Sequence, residues 1–165
     1  MRLWVPLASA FALAACGNAS GTRFVLEGSL STLFDLGYDD AAIEQTADDI
    51  AVRFIRKRKT VDGGAISEDI PLKVGAKLEG LTLAAKTPLN LAEAVPSGGQ
   101  RGAATRNVFG DVRNLFPLFA RAGLTFDTVP RAGKPVTGNF HITFDNGTDA
   151  ASGRTVFGTF TARVP

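Results

Sequence analysis

The chain has 165 residues, with 18 basic and 16 acidic side chains, one histidine and one cysteine. A formal net charge of +2 spread along the chain gives no nucleic-acid footprint, which needs a basic domain with clustered Lys and Arg. One cysteine allows no internal disulfide, and the length suits a single domain with a sizeable core.

Arg2 precedes an apolar run over residues 3–15 that ends in Leu13-Ala14-Ala15-Cys16. The run is shorter than the roughly 20 residues a membrane-spanning helix needs, and Pro6 interrupts it. A positive start, a short apolar stretch and small residues at the end are the marks of a secretory leader. These sixteen residues resemble the signal peptide and lipobox of a bacterial lipoprotein. The resemblance implies diacylglycerol on the Cys16 thiol, cleavage before Cys16 and acylation of the new amino terminus. It divides the chain into a signal peptide (1–15), a lipidated tether (16–21) and one β-rich domain (22–165). Two alternatives stay open: an ordinary signal peptide that leaves Cys16 a free thiol, or a short internal apolar segment. One acyl chain binds a membrane reversibly, whereas two or three hold durably. Gly17 stands where many Gram-negative lipoproteins carry an Asp for inner-membrane retention, so in such a cell the resemblance favours the outer membrane, on its periplasmic or surface face.

After the tether, apolar and polar residues alternate over 22–31 and 32–38, which predicts strands with Phe24, Leu26, Leu30, Phe34, Leu36 and Tyr38 inward. Ile43, Ala47 and Ile50 recur at helical spacing behind Asp39-Asp40, predicting a short capped helix, with a hairpin loop as the competing reading. A strand over 49–59 places Ile50, Val52 and Phe54 inward and ends in Arg56, Lys57, Arg58 and Lys59. That basic end reads as a solvated strand protected from edge pairing, or else as a patch for anionic headgroups. A turn at 61–64 precedes a long strand over 70–83 that switches phase at Gly80. A short strand is predicted at 88–95, a loop at 96–105 and another strand at 107–110. Asn114 would cap a helix through Ala122 with Leu115, Leu118 and Phe119 inward, before a strand over 124–129. Strands over 139–144 and 155–164 form a hairpin round Asn146-Gly147. Many short strands with regular turns predict an all-β, mainly antiparallel sandwich or open barrel with one or two short helices.

The aromatic residues are 12 Phe with one Tyr and one Trp, and Trp4 lies in the leader. Phe fills cores, whereas binding surfaces favour Tyr and Trp, so most rings are expected inside. Candidate chemistry is thin. His141 falls on the polar face of its strand, with no Gly-x-Ser-x-Gly elbow elsewhere to complete a triad. Asp145, Asn146 and Asp149 offer oxygen atoms to calcium, but Asp, Asn and Gly also make any tight turn. Gly98-Gly99-Gln100-Arg101-Gly102 lacks the Lys-Ser/Thr ending of a phosphate loop, so no cofactor is expected. The reading that results is a lipid-anchored envelope protein with a binding, adhesion or structural role. The alternatives are a hydrolase acting on envelope material and an assembly subunit pairing through strand 155–164. The expected partners are the membrane, through Cys16, and an envelope protein or surface ligand.

Overall fold

A computed structural model of the chain describes residues 23–58, 67–111 and 113–165. Cys16 with the leader and tether, Lys59 and the turn at 61–64 lie outside the described residues. Ten strands follow in order: β1 (Phe24–Val25), β2 (Gly37–Tyr38), β3 (Asp40–Gln45), β4 (Asp49–Arg58) and β5 (Ser67–Lys77), then β6 (Leu89–Asn90), β7 (Gly102–Asn107), β8 (Phe119–Phe126), β9 (Pro135–Phe144) and β10 (Thr155–Arg163). Among the described residues the single helical element is a 3₁₀ turn at Ser29–Thr32.

Strands β3 to β10 make one eight-stranded sheet in the order β6-β8-β9-β10-β3-β4-β5-β7. All pairs are antiparallel except β10 with β3, which meet in parallel at Arg163 and Ala42. The two outer strands are laced together. The Gly102 amide donates to the Leu91 carbonyl at 2.8 Å, and the Arg101 amide to the Glu93 carbonyl at 2.7 Å. The Gln100 side chain acts as a surrogate strand: its amide donates to the Phe119 carbonyl at 2.7 Å and accepts from the Phe119 amide at 2.8 Å. The sheet thus curls into an open barrel, the all-β architecture the alternation predicts.

A strand with one dry face must place an apolar residue at every second position. Ile50, Val52 and Phe54 of β4, Phe140, Ile142 and Phe144 of β9, and Val156, Phe160 and Ala162 of β10 all do so and are buried. Their rings meet in two groups. Phe54 touches Tyr38, Phe140 and Phe160, while Phe144 stacks on Phe116 at 5.3 Å between ring centroids. Such pairs are each worth about 1 kcal/mol beyond their buried area.

Several expectations fail for identifiable reasons. The predicted helix after Asp39 is β3, paired with β4 from Asp40–Ile55 to Gln45–Ile50. Ile43 and Ile50 share a face because a hairpin folds them to the same side, which mimics helical spacing. The predicted helix over 114–122 is extended chain running into β8, where Phe116 and Phe119 are buried but Leu115 and Leu118 are about two-thirds exposed. Thr105 and Leu115 form a bridge, and the Phe116 amide donates to Ala104, so the segment borders β7 instead of coiling. Residues 102–105, expected in a loop, belong to β7, which runs on through Asn107, and of the strand expected over 107–110 the remainder, 108–110, is the turn after it. The strand over 70–83 ends at Lys77, and Gly80, with φ +70°, serves a turn that leaves Leu81 exposed. Pro71 lacks an amide and sits at the register shift between Ile70 and Lys73, where the ladder to β7 is interrupted. The strands expected over 22–31 and 32–38 shrink to β1 and β2 around the 3₁₀ turn, and Phe24 faces outward.

The segregated charges become ion pairs across strands. Arg53 bonds Glu44 at 2.7 Å, and Arg56 reaches Asp35 at 2.8 Å and Asp69 at 3.0 Å. Asp69 is buried, which raises its carboxyl, but the Phe109 amide and the Arg56 and Arg58 guanidiniums outweigh this and hold it below the ordinary value. Lys73 above all, with Arg53, holds Glu44 low in the same way.

Candidate functional site

A depression of about 500 Å³ opens where the barrel wall splays beside β10. Its geometry starts from Glu27, whose amide and carbonyl both pair with Phe157 at 3.0 Å. From that point the two segments part, because Phe24 and Val25 pair instead with Tyr38 and Gly37 of β2. Strand β3 rejoins β10 only at Arg163. A wedge-shaped groove is left along Thr159 and Thr161.

Phe160 and two glycines, Gly138 and Gly158, line the groove at its base. Gly138 is required there: a Cβ would collide with the Thr125 carbonyl and stand 2.6 Å from the Phe160 ring. One wall is Phe24, half exposed and stacked on Tyr38 at 5.5 Å between ring centroids. Burial pushes the Tyr38 phenol above its ordinary value, so it stays a donor, and its hydroxyl lies 3.4 Å from the Thr159 carbonyl. Opposite stand Thr137, Asn139, Thr159 and Thr161. Glu27, Asp39, Asp40 and Asp127 supply four carboxylates, and among the described residues no Lys or Arg lines the groove. Asp39 accepts from the Lys57 amide at 2.8 Å, Asp40 from the Ala41 amide at 2.8 Å, and Asp127 from the Thr137 hydroxyl, which fixes each carboxylate in orientation.

The residues singled out in the sequence lie elsewhere. His141 is exposed and faces Gly123 across the β8–β9 ladder, with its ring where a Cβ on Gly123 would be, 2.6 Å from Cε1. It covers bare glycine backbone, a structural task. Asp149 bonds Arg113 at 2.9 Å, and the Ala151 amide and then Arg113 hold its carboxyl below the ordinary value. Asp145 accepts from the Asn146 amide at 2.8 Å, so these three residues close a turn. Among the described residues, no three carboxylate, imidazole or thiol groups gather as a metal site. Cys16 lies outside the described residues. Strand β10, the expected assembly edge, is paired along its whole length by β9 on one side, while on the other it meets β3 at Arg163 and Glu27 at Phe157.

Sequence reasoning missed the groove because its parts come from five separate stretches without a motif. It also missed Arg101 and Arg106, both buried. Arg101 donates to the carbonyls of Lys77 and Glu79, and Arg106 to that of Pro71. Comparison with known protein families, with curated proteins and with solved structures finds no match, so the groove is interpreted on its own geometry.

Proposed function

We propose that the protein is a lipid-anchored bacterial envelope component, held by acyl chains on Cys16 at the outer membrane, that acts by binding through the groove beside β10. The observation that carries the binding role is the groove itself, an open depression of about 500 Å³ lined by hydrogen-bonding side chains on paired strands. Clefts of this size with a few oriented polar groups are the usual form of a ligand site. What supports the anchor is the Leu13-Ala14-Ala15-Cys16 pattern, with only residues 17–22 between it and the described domain. Phe24 and Val25, which wall the groove, follow almost directly, so a bound partner would sit close to the membrane.

Membrane fractionation of the native protein and a Cys16→Ala variant tests this reading. The native protein is expected to stay with membranes through high-salt washing and to leave only in detergent, while the variant is recovered in the soluble fraction. Equal membrane retention of both overturns the anchor.

A further inference from the structure

We propose that the groove takes an extended, cationic peptide segment of a partner protein, which adds to the open edge of β10. The inference deepens the binding role proposed above and rests on it.

The first ground is the edge. In an antiparallel strand, alternate residues present both N–H and C=O to the same side. Phe157 presents both to Glu27, so Thr159 and Thr161 present theirs to the groove. Among the described residues no strand pairs with them there, and the Tyr38 hydroxyl is the one group seen to reach a carbonyl of the pair. A bare edge of this kind is what strand addition uses: backbone hydrogen bonds give affinity, and alternate side chains give specificity. The flanking contacts at Phe157 and Arg163 lie six residues apart along β10, or roughly 20 Å at strand rise. That span equals the length of a segment of about five extended residues.

The second ground is charge. The chain as a whole is slightly basic, yet the groove gathers Glu27, Asp39, Asp40 and Asp127 without a basic side chain among its lining residues. A neutral or acidic strand entering there would meet uncompensated negative charge, whereas Lys or Arg at alternate positions would form charge-assisted hydrogen bonds. The exposed face of Phe24 adds a surface on which a guanidinium can stack.

The test is fluorescence polarisation with full-length protein in detergent micelles. The probe is a labelled, acetylated hexapeptide alternating Lys with Val. Two analogues serve as controls: one with Glu for Lys, and one N-methylated on the alternate amides that would face β10. The Lys peptide is expected to bind, more weakly as salt rises, and each analogue to bind at least about tenfold more weakly, the equivalent of one lost hydrogen bond to a charged group. Asp40→Asn with Asp127→Asn should weaken binding similarly. Thr161→Lys, a surface change that puts a cation in the groove, should abolish it without altering the thermal melt. Equal binding of the Lys and Glu peptides, or of the methylated and parent peptides, overturns the proposal, as does no binding at all. Binding that appears only when residues 17–22 are deleted identifies the chain's own amino-terminal segment as the occupant, and also overturns it. Cys16→Ala fractionation is independent of every one of these outcomes, so failure of the peptide and failure of the anchor are told apart.

Discussion

Gly138 shows how strictly one residue can be fixed by its neighbours. The Phe160 ring occupies the space its side chain would need, and the Thr125 carbonyl closes the other side. Adding a methyl group to a packed site costs about 1–3 kcal/mol, and here the backbone oxygen cannot move aside as a side chain can. Gly138→Ala is therefore expected to destabilise the fold by about 3 kcal/mol, the top of that range, measured as a lowered urea midpoint with an unchanged slope. Gly123 is the gentler counterpart, since the His141 ring that covers it is exposed. Neither glycine's partner was legible in the sequence. The identity of a cross-strand neighbour depends on register, and register was set by pairing that composition does not encode.

At the scale of elements, β9 is held on both sides along most of its length, by β8 and by β10. By contrast β6 has two paired residues, and β1 has two, outside the main sheet. Amide hydrogen exchange should follow this order, slowest in Phe140, Ile142 and Phe144 and fastest in β1 and β6. Exchange in β9 as fast as in β1 would show that the sheet is not the cooperative unit. The same contrast explains which elements could be read in advance. β9 and β10 each have one dry face and one wet face, so their alternation is sharp, and β4 keeps a continuous Ile50-Val52-Phe54 stripe although Ala51 and Ile55 behind it are buried too. β3 has the same pattern over only six residues, and Ile43 with Ile50 across the hairpin imitates a helix. The segment at 114–118 borders another strand at the surface, so its leucines carry no information about burial.

For the whole molecule, the carboxylates set the response to acid. Burial raises Asp35, but the bond from Arg23, the Gly37 amide and Arg56 outweigh it and leave the carboxyl below its ordinary value. The Arg113 amide and then Arg106 do the same for Asp111. With Glu44, Asp69 and Asp149, five acids have lowered values in the folded state. A group with a depressed folded pKa stabilises the fold above its unfolded value and loses that contribution as pH falls through the folded one. Stability to urea should stay level from neutral pH down to about 5 and then fall steeply below about 4, where these pairs protonate. A midpoint that rises between pH 5 and pH 3 would contradict the assignment of these acids as counter-ions. The all-β class was legible at this scale because alternation recurs throughout. The groove was not, because it exists only once distant stretches meet.

That last point reaches beyond stability. One bank of the groove comes from residues 24–41 and the other from residues 127–161, and β10, the strand between β9 and β3, follows the other described strands in the chain. A copy without β10 lacks one bank of the groove even where β3, β4 and β5 are all present. The groove therefore comes into being only when β10 joins the sheet between β9 and β3, so its presence reports that pairing.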